Sequence, residues 1–346
     1  MTNGSTDAAY AKTIAEIAAA TGFSRTTVRF VINGQAERYR IKSETKKVIE
    51  DYVAAHGVAI SHVARSLRTR RTDAIGLIVP DLANAFFASL TAELEIHCRR
   101  SGRVLLTASS QEDPEQEATA IAGLVERGID GIVIAPCRSP GASRLSRAGR
   151  RLAVVVVDRA FPGSAWPTVV GDNAGVTAEL TASMIATAAG AVHFLCACPD
   201  LPSIADRIAG FSQATAKAGF AHADRLIRTH ASDTTEAGRA LMRGFFGDGG
   251  RPPLAFICSS LLILEGALQE IVAAMGRLPP ELLIGTFDYH PLLDAVPNRI
   301  LSVRQDEKAI AEKAFDYLVA QMDGRPAQPL HVVVPGRIVN TASAVG

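Results

Sequence analysis

The chain has 346 residues, 48% of them hydrophobic, with 21% charged and a formal net charge of +1. That length exceeds one ordinary core, so two or three domains are expected, and the composition is that of a well-packed α/β protein. No apolar stretch reaches the length of a membrane helix, and the opening MTNGSTDAAYAKT has neither a basic-then-apolar region nor a cleavage site. Both features predict a cytoplasmic protein without a membrane partner. Five cysteines (Cys98, Cys137, Cys196, Cys198, Cys258) are odd in number and lie mostly inside apolar runs, which fits reduced thiols better than a disulfide framework. Cys196 and Cys198 make a poor metal pair, because alternate residues of a strand point to opposite faces.

Divided by region, the charge becomes informative. Residues 1 to 72 hold 12 Lys+Arg against 6 Asp+Glu, a net of +6, and the remainder holds 24 against 29, a net of −5. A cationic segment on an otherwise acidic body is the electrostatic footprint of contact with phosphates. In chain order, Thr13 can cap a helix carrying Ile14, Ile17 and Ala18 on one face, and Thr21-Gly22 ends it. Ser24 then caps a second helix over 25 to 32, with Val28 and Val31 or Ile32 inward, and Asn33-Gly34 ends that one. A third helix starts at Ser43. Two helices joined by a short glycine turn and supported by a third form a helix-turn-helix pattern, which turns Arg25, Thr26, Arg29 and Phe30 outward to base edges and leaves Ser24 and Thr27 to phosphates. Thr13 and Asn33, which bound the two helices, join this DNA-facing set. Residues 58 to 72 read as a hinge and linker, with a short amphipathic helix from His62 to Leu67 that forms only when bound.

From residue 73 onward, apolar runs alternate with helical segments. AIGLIVP (74 to 80), VLLTAS (104 to 109), GIVIA (131 to 135) and LAVVVVD (152 to 158) form a first series, and VHFLCA (192 to 197), DRLIRT (224 to 229), LAFICS (254 to 259) and LLIGTF (282 to 287) a second. Such runs suit parallel strands covered on both faces, in two doubly wound βαβ lobes with a cleft at the carboxyl ends of the strands.

Taken whole, from about Lys12 to the end, the chain resembles the LacI family of transcription regulators, and within it the regulators of fructose and sucrose genes. The matching pieces are IAEIAAATGFSRTTVRFVIN, VINGQAERYRIKSET, VARSLRTRRTDAIGLIVPDLANAFF, the DPEQE loop, VDRAF and LILEGAL. The resemblance implies an all-α helix-turn-helix head (1–57), a hinge (58–72), and a two-lobed, periplasmic-binding-protein-like α/β domain for effector binding and dimerisation (73–346). Its first lobe would be about 73–171 plus 306–328, and its second about 172–305 plus 329–346. The resemblance also implies that Leu67 wedges into a minor groove, with small Ala64 at the closest approach and Arg68 nearby, although the usual proline and aromatic of the hinge are Ile60 and Val58 here.

In the cleft, the resemblance assigns Phe86 and Phe87 to cover the ligand, Asp158 and Arg159 to the end of a strand, Arg207 to bind hydroxyls or a phosphate, and Asp288 to accept from hydroxyls. Ser259-Ser260 stand where many members have Asn-Asp, which shifts the expected effector towards fructose or fructose 1-phosphate. The expected partners are therefore pseudo-palindromic operator DNA, a small sugar or sugar phosphate, and a second copy of the chain. Lys42, Lys46, Arg65, Arg68, Arg70 and Arg71 would add phosphate attraction. No catalytic motif, metal-spaced histidine pair or phosphate-cradling glycine loop is found, so no enzyme activity, cofactor or metal is expected. Asp113, Glu115 and Glu117 of the DPEQE loop read as structural acids at a helix start. The rival reading is a sugar receptor without DNA activity.

Overall fold

The computed structural model describes residues 12–32, 34–56, 71–137, 152–188, 190–247, 250–326 and 328–341. Asn33, Ala64, Leu67, Arg68 and the expected hinge helix lie outside them. The chain divides into two compact units, Met1–Thr72 and Asp73–Gly346.

In the first unit, α1 (Ile14–Thr21), α2 (Arg25–Ile32) and α3 (Ser43–His56) pack through Ile17, Val28 and Ile49, one fully buried side chain from each helix. The entry to α1 is a reciprocal capping box: the Thr13 backbone N–H donates to Glu16 Oε2 at 2.7 Å, and the Glu16 N–H donates to Thr13 Oγ1 at 3.3 Å. Gly22 ends the helix in the left-handed region (φ 74°), where its N–H closes onto the Ala18 carbonyl. At the start of α2, Ser24 Oγ accepts from the Thr27 N–H at 3.1 Å, satisfying one of the orphan donors of a helix start.

The second unit holds, among the described residues, two six-stranded sheets. The first runs in the order β11 (His331–Val334), β5 (Thr168–Gly171), β4 (Ala153–Val157), β3 (Gly131–Ile134), β1 (Ala74–Val79), β2 (Val104–Ser109), all parallel. The second runs β12 (Arg337–Thr341), β10 (Arg299–Arg304), β9 (Leu283–Phe287), β8 (Ala255–Cys258), β6 (His193–Ala197), β7 (Ile227–His230), with only β12 antiparallel. Around the first sheet pack α4 (Ala85–Arg100), α5 (Pro114–Glu126) and α10 (Glu307–Met322); around the second pack α6 (Asn173–Ala188), α7 (Pro202–Lys217), α8 (Thr235–Arg243) and α9 (Leu261–Met275). Central strands such as β4, whose five residues are all buried, confirm the both-faces-covered pattern.

Three expectations need correction. Residues 329–346 do not all belong to the second lobe: the Leu330 carbonyl accepts from the Thr168 N–H at 2.7 Å, and β11 extends the free edge of β5, so only β12 joins the second sheet. The strand read at 224 to 229 begins at Ile227, because Ala223–Leu226 forms a 3₁₀ turn. The run at 104 to 109 is an edge strand with Val104 exposed, not one covered on both faces. The chain thus crosses between lobes three times, after β5, after β10 and between β11 and β12.

Candidate functional site

Both sheets have the same winding, with β1 beside β3 in one and β6 beside β8 in the other as the points where the order reverses. At such a point the loops leave the carboxyl ends of neighbouring strands in opposite directions and open a crevice. Here the two crevices face one another, and one cavity of about 60 Å³ is lined from both lobes. All seven cleft residues expected from the sequence line it: Phe86, Phe87, Asp158, Arg159, Arg207, Ser260 and Asp288.

Each is aimed by local structure. Asn84 caps α4 by accepting from the Phe86 and Phe87 N–H groups, which fixes both rings at the cavity wall, edge to face with centroids 5.1 Å apart. Asp158 and Asp288 each follow the last residue of a strand and adopt left-handed backbone (φ 62° and 66°), as does Cys198 after β6 (φ 50°). Non-glycine residues seldom accept that conformation, and its recurrence at three strand ends around one cavity is the signature of strain held where side chains must be re-aimed.

Two guanidiniums are buried in the cleft. Arg207 donates from Nε to Asn173 Oδ1 at 2.8 Å and from Nη1 to the Ser259 carbonyl at 2.6 Å, and it lies 3.7 Å above the Phe287 ring. Arg159 makes a two-pronged pair with Glu112 and approaches Asp158 at 3.7 Å. Facing them are carboxylates that burial destabilises as anions. Burial pushes the Asp288 carboxyl up, against the opposing pull of Arg207 and a 2.8 Å hydrogen bond from Gln305 Nε2. Burial likewise raises Asp233, whose carboxylate accepts from Ser260 Oγ at 2.5 Å. Ser260 also caps α9 by accepting from the Ile263 N–H. Fixed donors and acceptors of both kinds, interleaved at short range and walled by two aromatic rings, suit a small polyhydroxylated molecule whose hydroxyls both give and take hydrogen bonds.

Sequence reasoning missed Glu112, Asp233 and Gln305. Asp233 and Gln305 sit in unremarkable loop context, whereas Glu112 adjoins the DPEQE loop, whose three acids follow it directly. Of those, Asp113 caps α5 and buried Glu117 accepts from the Cys137 N–H at 2.7 Å. Both are structural.

In the first unit, Ser24, Arg25, Thr26 and Arg29 are exposed and Thr27 is half-buried. Phe30 departs from its expected outward pose: half-buried, it stacks flat on Tyr39 with centroids 3.7 Å apart, since two exposed rings hide more apolar surface together than separately. The Thr13 hydroxyl is engaged with Glu16.

Residues 72–287 match the family model described as periplasmic binding proteins and sugar binding domain of the LacI family. The chain belongs to the LacI family. It is 32% identical over 94% of its length to the sucrose operon repressor of Klebsiella pneumoniae, covering 97% of that protein. It is 31% identical to the fructose operon regulatory protein of Vibrio cholerae over 88% of this chain and 92% of that one. The crystal structure of the Cra transcriptional dual regulator from Pseudomonas putida in complex with fructose 1-phosphate superimposes with a TM-score of 0.70 at 25% identity, covering 78% of this chain and 99% of that one. This LacI-family chain is therefore a transcription regulator, and no helix among its described residues is long and apolar enough to cross a membrane.

Proposed function

We propose that this LacI-family regulator is a homodimeric repressor of sugar utilisation, with a helix-turn-helix head on operator DNA and a fructose-type sugar or sugar phosphate in the interlobe cleft. The observation that carries the effector reading is the convergence of Arg159, Arg207, Asp158, Asp233 and Asp288 on one cavity beside Phe86 and Phe87. The relatives named for the sucrose and fructose operons, and the fructose 1-phosphate complex of Cra, support the ligand class.

For the head, the supporting observation is the capped α1–turn–α2 pair, which leaves Ser24, Arg25, Thr26 and Arg29 exposed along one helix. A helix so exposed can enter a major groove, and two heads related by the dimer axis would read two half-sites. Effector binding that draws the lobes together then changes operator affinity through the dimer surface; a coupling of about 1–3 kcal/mol corresponds to roughly 5- to 150-fold.

The test is a mobility-shift titration of the full-length protein on DNA from upstream of its own gene, with and without fructose, fructose 1-phosphate and sucrose. A site bound more tightly than random duplex, with affinity changed by one of the three, is expected. Binding no tighter than to random duplex, or indifference to all three, overturns the reading.

A further inference from the structure

Glu112 has no place in the reading so far, yet the backbone goes to some length to deliver it. Between β2 and α5 the chain must reverse within a few residues whose neighbours are already committed. Upstream, the Ser110 N–H donates to the Val79 carbonyl and the Gln111 N–H to the Pro80 carbonyl; downstream, Asp113 caps α5 and Pro114 opens it. The reversal falls on Gln111 and Glu112, which both take left-handed backbone (φ 50° and 58°) although neither is glycine. Two such residues in succession persist only where their surroundings hold them.

What holds Glu112 is Arg159. The Glu112 carboxylate accepts from Nη2 at 2.5 Å and from Nη1 at 2.8 Å, spanning the guanidinium fork. The partners are unequal. Arg159 has a side chain only 5% exposed and is anchored by the Pro136 carbonyl and by Asp158, while Glu112 is 42% exposed and reaches in from the rim. Both residues line the inner cavity and also the wider outer cleft of about 530 Å³, so the pair stands where the two meet. Arg207, by contrast, is fixed to Asn173, the Ser259 carbonyl and the Phe287 ring, none of which is an anion. Arg159 is the buried guanidinium whose anion can be exchanged.

We propose that Glu112 is a built-in competitor for the anion position on Arg159, and that it makes the cleft selective for an effector carrying a phosphate. Two phosphate oxygens match the guanidinium fork as two carboxylate oxygens do. An incoming phosphate replaces the carboxylate, Glu112 withdraws to the rim, and the two Nη groups of the buried guanidinium, which Asp158 approaches only at Nε, never stand without an anion. A neutral sugar offers the fork only hydroxyls and leaves the ion pair standing. The inference rests on the cleft being the effector site, and it adds the ligand class and the residue that sets it.

The experiment is calorimetric titration of the full-length protein with fructose 1-phosphate and with fructose, using wild type, Glu112→Gln and Glu112→Ala, each with and without Arg159→Gln. Thermal melts identify the folded variants, and two substitutions at 112 guard against one that misfolds. Removing the competitor is expected to tighten fructose 1-phosphate binding about ten-fold and leave fructose binding unchanged. In the Arg159→Gln background, substitution at 112 is expected to have no effect on either probe, because the contested position is gone. Weaker fructose 1-phosphate binding without Glu112, or an equal change for both probes, overturns the proposal, as does an unchanged affinity. If fructose 1-phosphate binds wild type and Glu112 is without influence, the effector reading stands and only the competitor fails. If fructose 1-phosphate binds none of the proteins, the phosphate-bearing effector and the competitor fall together.

Discussion

Gln305 Nε2 donates a 2.8 Å hydrogen bond to Asp288 Oδ1, tying the residue that follows β9 to the segment where the chain crosses from the second lobe to the first. Gln305 is buried, and a Cβ built on Gly171, at the first crossover, would stand 2.8 Å from its Oε1. One side chain therefore touches a cleft carboxylate and lies between two of the three interlobe connections. Gln305→Leu keeps most of the volume but leaves the buried Asp288 acceptor unpaired, at a cost of about 1–3 kcal/mol. With Asp288 no longer held in place, fructose 1-phosphate should bind more weakly, and the effector-induced change in operator affinity should shrink. Calorimetry and a mobility-shift titration check the two halves separately.

Asp288 also predicts a pH signature. Its carboxyl holds a proton more tightly in the folded chain than in the unfolded one, because burial outweighs the pull of Arg207. The native state then binds more protons than the unfolded state between the ordinary carboxyl pKa and the raised one, so this residue's contribution to stability falls as pH rises through that window. Above the window the ionised, desolvated carboxylate is a standing penalty; below the ordinary value it contributes nothing. The melting temperature of Asp288→Asn, measured relative to wild type from pH 4 to 7, should accordingly climb with pH. A difference that falls across that range would mean that the pairing with Arg207 prevails over desolvation.

The strands of the body could be read from the sequence where burial on both faces wrote an unbroken apolar run, as in β3 and β4. They were missed where it did not. β5 has four residues, and β10 carries Arg299 and Arg304 at its ends. The cleft arginines and Asp288 were legible because a family pattern marks their local sequence. Glu112, Asp233 and Gln305 were not, because each acquires its meaning only from a partner far along the chain: Arg159, Ser260 and Asp288 respectively. Helix starts were readable too, since Thr13 at the entry to α1 and Asp113 at the entry to α5 act on the helix ends beside them.

Gly22 offers a clean measure of how much the first turn matters. Its φ of 74° is left-handed, and a Cβ built there would meet nothing within 4 Å, so a substitution clashes with nothing and costs only conformation. Gly22→Ala should destabilise the first unit by about 1–2 kcal/mol. In the full-length protein this should appear as a lower first melting transition and weaker operator binding, with fructose 1-phosphate affinity unchanged.

Arg25 and Lys46 should separate base reading from phosphate attraction. Arg25 opens α2 and is exposed, in the position from which a guanidinium can reach a base edge. Arg25→Ala should cost about 1–3 kcal/mol of operator affinity and relax the preference at one base pair. Lys46 lies on α3 in an exposed pair with Glu50 at 3.8 Å, which is worth little to stability. Lys46→Ala should weaken binding to all duplexes alike and lower the slope of log affinity against log salt by about 1. Anisotropy titrations over a salt series on operator and scrambled DNA report both quantities. Were Arg25→Ala to lower affinity equally for the two duplexes, Arg25 would be one more phosphate contact, and sequence reading would have to come from elsewhere along the helix.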